Sequence, residues 1–246
     1  MSWREEAKRQ AALEAVKLVE NDLIVGLGTG STVYYAIEEI GRRIRNEGLK
    51  TLCIPTSSQT QVQAERLGIP LTNLNEYPRV DLAIDGADQV DPNLNLIKGG
   101  GGALTREKIV DSSTNFLAIV VDETKLTDKL GRKQSIPVEV ILFALKTVMN
   151  RIKEMGGKPI VRLSGKTMPL KSEKYFMTDN GNLIIDADFG ELKDAENLEK
   201  QIKMIPGVIE NGLFINMTHK LYVGQKNGVK IIDKKSIVNK NGETFE

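Results

Sequence analysis

Three short segments carry residue types and spacings that could do chemistry. The first is Gly26-Leu27-Gly28-Thr29-Gly30-Ser31-Thr32. Glycines between a strand and a helix let backbone approach a ligand closely, and a helix N-terminus offers free N–H groups to an anion. Ser31 and Thr32 add hydroxyls. The plainer reading is a helix cap with glycines for a tight turn, and the segment alone leaves both open. The second is Asp85-Gly86-Ala87-Asp88, two carboxylates three residues apart. They could shuttle protons or bind sugar hydroxyls, or simply close a surface turn. The third runs from Lys98 through Gly99, Gly100, Gly101 and Gly102 to Glu107. Four consecutive glycines cost conformational entropy, about 0.5–1 kcal/mol each relative to Ala within regular structure. Such a run is kept where backbone must wrap closely round something. Lys98 could stabilise a developing oxyanion, and Glu107 could face the same pocket as a base. Helical periodicity alone makes Glu107 a solvated first-turn residue favoured by the helix dipole.

What these segments lack narrows the ligand. A dinucleotide site wants Gly or Ala where Ser31 stands, and an acid at the end of the second strand, which here reads Cys53-Ile54-Pro55-Thr56. A nucleotide P-loop wants Gly-Lys-Ser/Thr, and no Lys follows Gly30. A single small phosphate or a sugar suits the glycine turn better. A metal held by Asp85, Asp88 and Asp91 matches no EF-hand spacing. One cysteine, Cys53, excludes an intrachain disulfide and a Cys-rich metal site, and one histidine, His219, leaves little material for a His-based metal site or a Ser-His relay. Both read as packing residues. Lys125, after the run Phe116–Val121, and Lys8, in the first helix, could each place an ammonium at the same sheet edge as these segments, although most lysines are simply surface residues.

The elements that must position these residues alternate. Ser2 and Glu5 suggest a capping box for a first helix with Trp3, Ala7, Ala11, Ala15, Leu18 and Val19 at helical spacing. Apolar strands are expected at 23–25, 51–54, 80–84 and 116–121, with helices between them ending near Gly48 and Gly68. Short apolar strands alternating with helices give a mostly parallel sheet covered on both faces, an α/β fold whose ligands sit beyond the strands' carboxyl ends. All three segments should gather on that edge. After residue 130 the pattern changes. Val138, Ile141, Leu142, Leu145, Val148 and Ile152 define one amphipathic helix, followed by strands at 160–163 and 183–185 and a charged helix at 195–204. This is a small α+β unit. From Pro206 on, strands return, with a hairpin at Asn227-Gly228. The expected division is a discontinuous large domain, 1–130 with 206–246, and a small domain, 131–205. The last fourteen residues are polar and read as frayed.

Composition sets outer limits. The 34 Lys and Arg nearly balance 33 Asp and Glu, for a net charge of +1. That argues against a nucleic-acid partner held by bulk charge. The charged start MSWREEAKRQ has no signal-peptide core. Apolar runs of about six residues fall far short of the roughly 20 that span a bilayer. A cytoplasmic protein with no membrane partner is expected.

Together the segments resemble the type A ribose-5-phosphate isomerase family. The resemblance rests on 26–32, Asp-Gly-Ala-Asp (85–88), Lys-Gly-Gly-Gly-Gly-Ala-Leu-Thr-Arg-Glu-Lys (98–108), Ile-Pro-Val-Glu-Val (136–140), Thr-Asp-Asn-Gly-Asn (178–182) and Ile-Pro-Gly-Val-Ile-Glu-Asn-Gly-Leu-Phe (205–214). They stand in the family's order and span about 8–232. The resemblance implies a Rossmann-like domain with a small ferredoxin-like domain, and interconversion of ribose 5-phosphate and ribulose 5-phosphate without metal or organic cofactor. It implies that Glu107 is the acid/base, that Asp85 and Asp88 contact sugar hydroxyls and assist ring opening, and that Lys98 lies beside the enediolate oxygens. Thr29, Gly30, Ser31, Thr32, Gly86, Ala87, Gly99, Gly100, Gly101, Lys125 and Lys8 are the implied substrate and phosphate contacts. A homodimer or homotetramer is expected. The chain departs from the family at Gln89, where a Glu is usual, and at Gln134-Ser135, where an aromatic and a Pro are frequent. The alternative is a non-catalytic sugar-phosphate sensor of related fold, since fold does not fix function. A nicotinamide-dependent oxidoreductase is disfavoured by the missing ribose-binding acid.

Overall fold

The computed structural model describes residues 2–164 and 175–234. The polar tail expected to fray lies almost wholly outside them. Helix α1 (Trp3–Val16) starts at Ser2, whose hydroxyl accepts the Glu5 N–H at 3.3 Å. The Glu5 carboxylate does not close the box; it binds Lys8 and the Tyr35 hydroxyl. Strand β1 (Ile24–Leu27) leads to α2 (Val33–Glu47), which ends on left-handed Gly48. Next come β2 (Leu52–Pro55) and α3 (Ser58–Arg66), whose cap is Ser57. Strand β3 (Val80–Asp85) is followed by two-residue strands β4 (Gln89–Val90) and β5 (Leu96–Ile97). Helix α4 (Leu104–Ser112) returns the chain to β6 (Thr114–Asp122).

The second unit holds β7 (Ile136–Val140), α5 (Leu145–Glu154), β8 (Lys158–Val161), β9 (Leu183–Asp188), α6 (Ala195–Lys203) and β10 (Val208–Asn211). Then β11 (Leu213–Phe214), β12 (Lys220–Gln225) and β13 (Gly228–Asp233) close the described chain.

The large sheet has the order β13-β12-β6-β3-β1-β2. Its inner five strands run parallel, and β13 joins antiparallel through a two-residue turn. Apolar side chains fill both faces, among them Val25, Leu27, Ile37, Ile40 and Ile84 on one and Leu117, Ile119, Leu221 and Val223 on the other. Each such side chain contributes about 1.5–3 kcal/mol of transfer free energy. The small sheet has the order β10-β7-β9-β8, all antiparallel, threaded βαββαβ. That is the ferredoxin-like arrangement. A three-stranded sheet, β11-β5-β4, lies outside both and carries the chain between them. No described helix is long and apolar enough to cross a membrane.

Two expectations need correction. The single helix over 138–152 is a strand followed by a helix. Ile136, Val138 and Val140 alternate toward the small domain's core, and α5 begins only at Leu145. A β-branched period-two run was hidden inside an apparent helical spacing, which is the ordinary ambiguity of short apolar stretches. The return to the large sheet also comes later than Pro206. Strand β10 pairs with β7, so Val208–Asn211 belongs to the small sheet.

Candidate active site

Parallel strands deliver their carboxyl ends to one edge, and Asp85 is the last residue of β3 there. Its carboxylate is fixed by backbone. Oδ1 accepts the N–H of Gly86 at 2.6 Å and of Thr29 at 3.2 Å. Thr29 can come this close because residue 28 is glycine: a Cβ there would sit 2.0 Å from Asp85 Oδ1. The glycine turn after β1 is thus built around the carboxylate that ends β3.

Lys98 follows β5, whose pairing with β11 and a bond from Lys98 N to Gly212 O at 2.9 Å aim the side chain back under the edge. It is buried, and its ammonium meets three acceptors. Gly86 O lies at 2.6 Å, Asp85 Oδ2 at 2.9 Å and Glu107 Oε1 at 3.3 Å. The ammonium also lies 5.3 Å from the centre of the Phe214 ring. Glu107 stands on the first turn of α4, only 4% exposed. The solvated position expected from periodicity is therefore wrong: α4 packs against β10 and β3 on both flanks, and the first turn is covered. Among the described residues Glu107 Oε2, though buried, has no hydrogen-bond partner, so its lone pair is free to accept a proton.

Burial pushes the Glu107 carboxyl up to about 8, with Lys98 pulling the other way and Asp85 adding to the rise. Burial also opposes the Lys98 charge, but Asp85, Glu107 and Asp111 outweigh it and hold its pKa above the ordinary value. A carboxylate poised near neutrality beside a permanent cation is suited to taking a proton from carbon while charge develops on a neighbouring oxygen.

The glycine loop shapes the mouth. Gly99 and Gly102 have φ of 100° and 85°, conformations that side chains rarely adopt. Arg162, from the small domain, donates to Gly99 O at 2.8 Å and Gly100 O at 3.1 Å while it pairs with Asp186. Asp88 accepts the Gly100 N–H at 2.7 Å, and Lys125 reaches within 4.0 Å of Asp88. Both keep partly exposed side chains at the rim. Ala87 and Gly86 lie between the two aspartates, and Gly101 has open space where a Cβ would be. Ser31 is exposed, Thr32 is buried, and Gly30 has a φ of 130° at the start of α2, where Thr32 makes no side-chain cap. The Thr29 hydroxyl turns inward to Thr56, Ser57 and Thr60, at 2.9, 2.7 and 3.1 Å. Lys8 pairs with Glu5 at 2.8 Å. Its neighbour Ala7 packs against Gly224, at the carboxyl end of β12, so Lys8 lies along the same sheet edge.

Pattern reading missed three residues. Glu139 is buried on the face of β7 opposite the small domain's core, and accepts from Thr105 at 2.6 Å, Thr178 at 2.9 Å, Asn182 at 2.8 Å and Asn180 at 3.1 Å. It ties the first turn of α4 to the 178–182 turn. Arg162 is the second. The third is Asp111, buried one turn after Glu107 on α4; the i, i+4 spacing was the available signal. Gln89 does not stand in for a site carboxylate. It is buried, and its Oε1 accepts the Gly131 N–H at 2.9 Å. Asp91 closes its own turn through Asn93 and Asn95, away from Asp85 and Asp88. Cys53 is buried, its thiol pushed up to about 12 by desolvation, and His219 stacks on Phe116 while Nδ1 accepts the Leu117 N–H. Both pack, as expected.

The model of the family Ribose 5-phosphate isomerase A (phosphoriboisomerase A) matches residues 52–228. Ribose-5-phosphate isomerase A of Methanosarcina acetivorans is 48% identical over 228 residues, covering 92% of this chain and 94% of its own. The protein of that name from Methanocaldococcus jannaschii is 49% identical over 231 residues, 94% of this chain and 99% of its own. A solved structure of ribose 5-phosphate isomerase A from M. jannaschii superposes with a TM-score of 0.88 at 48% identity, covering 94% of this chain and 99% of that one. A D-ribose-5-phosphate isomerase solved with phospho-erythronic acid superposes with the same TM-score of 0.88 at 40% identity, covering 95% and 100%.

Proposed function

The chain belongs to the ribose-5-phosphate isomerase A family, and we propose that it interconverts ribose 5-phosphate and ribulose 5-phosphate with Glu107 as the acid/base. One observation carries this reading: a buried carboxylate with one unpartnered oxygen, raised to about 8, 3.3 Å from a buried ammonium.

The chemistry follows from the geometry. A proton next to a carbonyl is weakly acidic because its loss leaves negative charge on oxygen. Lys98 supplies a fixed positive charge for that oxygen, and such preorganised electrostatics is often the largest catalytic contribution. Glu107 Oε2 takes the proton from C2 of the open-chain aldose, leaving a planar enediolate. The same oxygen returns it to C1, and the second hydroxyl proton moves between the two oxygens, so atoms balance. Asp85 and Asp88 accept sugar hydroxyls and assist ring opening. Asp85 also keeps Lys98 charged. The N–H groups of Gly30, Ser31 and Thr32, at the start of α2, together with Lys125 and Lys8, receive the phosphate. Gly86, Ala87 and Gly99–Gly101 line the sugar's path. Anchoring the remote phosphate aims C2 at the base. The phospho-erythronic acid in a relative, a phosphorylated sugar acid, supports a ligand of this class.

The same reading includes a cytoplasmic enzyme of two units, the smaller one ending with β10, that needs no organic cofactor and assembles as a homodimer or homotetramer. The exposed Leu142 and Phe143, 63% and 98% accessible, support self-association. The test is a coupled assay of ribulose 5-phosphate formation from ribose 5-phosphate with chelator present. Turnover supports the reading. Saturable binding without turnover would make the protein a sensor instead.

A further inference from the structure

The site holds more negative charge than its one cation can balance. Asp85 and Glu107 are buried against Lys98, and Asp111 is buried one turn along α4 from Glu107. With every group ionised the cluster would carry a net charge of two negatives on buried side chains. Buried charge is tolerated only when paired and hydrogen-bonded, so protons must reside on these carboxylates: Glu107, raised to about 8, holds one below that pH, and when it ionises to act as base another of the three must hold one.

Their partners say which. Asp85 Oδ1 accepts two backbone N–H groups, and Oδ2 faces the ammonium at 2.9 Å. Glu107 Oε1 faces the same ammonium at 3.3 Å. Among the described residues neither oxygen of Asp111 has a hydrogen-bond donor, and Asp85 Oδ2 has none beyond its ion pair. Asp111 stands one turn after Glu107 on α4, and α4 packs against β3, the strand that ends in Asp85. One proton on Asp111, aimed at Asp85 Oδ2, partners an oxygen on each residue at once. The charged groups on the outer side offer no substitute. Lys108 is taken by Glu199 and Glu210 at 3.4 and 2.9 Å, and His219 Nδ1 already accepts a backbone N–H. These residues, with Asp111, line a hollow of about 390 Å³ open on the far side of α4.

We propose that Asp111 rests as a neutral carboxylic acid donating to Asp85, and that its ionisation sets the alkaline limit of the enzyme. Burial among Asp85 and Glu107 raises its carboxyl well above the ordinary value, in keeping with this. Asp111 touches no reacting atom; it is a positioning residue that acts through Asp85. While neutral, it holds Asp85 against Lys98 and leaves the ammonium's charge for the substrate oxygen. Once ionised, it sets a third carboxylate against that cation beside the developing enediolate, and transition-state stabilisation falls. The alkaline-limit part rests on the isomerase reading above; the protonation part does not.

The experiment has two arms, kept separate for that reason. Infrared difference spectra of the full chain at neutral pH, wild type against Asp111→Asn, should show the C=O stretch of a buried carboxylic acid that the variant lacks and that Glu107→Gln retains. In the second arm, the alkaline fall of kcat/KM should move up by about one pH unit or more in Asp111→Asn, because the amide donates as the acid did but cannot ionise. A residue of merely structural importance would lower stability and leave that limb in place. Identical infrared spectra for folded wild type and Asp111→Asn would overturn the protonation, and an unmoved alkaline limb would overturn the functional role. If Asp111→Asn does not fold, wild type labelled with ¹³C at the aspartate carboxyls serves. One carboxyl resonance must stay at the protonated position through neutral pH, and its absence overturns the proposal. Wild type that shows the band but turns over no ribose 5-phosphate would defeat the isomerase reading and leave the protonated Asp111 standing.

Discussion

Replacing Lys98 by Met removes the positive charge while keeping an unbranched side chain of similar length. The consequence for Glu107 can be worked from the geometry. At 3.3 Å and an effective dielectric constant of about 20, the ion pair is worth about 5 kcal/mol. At about 1.4 kcal/mol per pKa unit this is a rise of about 3–4 units as an upper bound. Glu107 starts from about 8. Near neutral pH the ionised fraction, and with it the supply of base, then falls by a factor of about 10³. The loss of stabilisation on the enediolate oxygen adds a further factor of about 10²–10³. The assay is kcat/KM for ribose 5-phosphate across pH, with circular dichroism to verify the fold. The acid limb should leave the region of 8 and move beyond the accessible range. A variant within tenfold of wild type, with its acid limb unmoved, would refute the electrostatic coupling of the two residues.

Other consequences follow from the same geometry. Glu107 is raised when folded, so its protonated form favours the native state. Its cost is absent below the ordinary value of 4.5 and grows as pH rises through about 8. Glu107→Gln should therefore melt with wild type near pH 4.5 and above it at alkaline pH; parallel melting curves at both would contradict this. Glu139→Ala leaves Thr105, Thr178, Asn180 and Asn182 without their shared acceptor. It should lower stability by about 3 kcal/mol or more, and reduce kcat more than it raises KM, because the first turn of α4 loosens. Gly28→Ala drives a methyl into Asp85; it should cost folding yield and activity together, measured by soluble expression and initial rate. Cys53 is buried with its thiol at about 12, so native protein should resist iodoacetamide at neutral pH and react once denatured.

How much was legible in the sequence depended on which physical signal each residue leaves. The large sheet was readable because short apolar runs alternate with helices whose ends are marked by caps, such as Gly48 after α2 and Ser57 before α3. The site segments were readable because glycines beside Asp85 and after Lys98 are needed for close approach and positive φ. Glu107 was not, on pattern alone: a carboxylate on a helix's first turn looks solvated until the packing of that turn is known. Resemblance supplied what periodicity could not. Strand β7 was lost because Val138 fits a helical spacing with Ile141, Leu142 and Leu145 as well as a strand's with Ile136 and Val140. Glu139 and Arg162 were silent because their work is to partner residues far along the chain, and Asp111 because its burial comes from the packing of α4. Gln89 looked like a lost site carboxylate, whereas it anchors the backbone at Gly131.

The most direct measurement is the transfer of solvent deuterium to carbon. Wild type in D₂O with ribose 5-phosphate should place deuterium at C2 of the aldose and C1 of the ketose, followed by mass spectrometry. Glu107→Gln, folded and still binding the sugar phosphate, should place none above background. Deuterium at either carbon at a near-native rate in that variant would show that another group moves the proton.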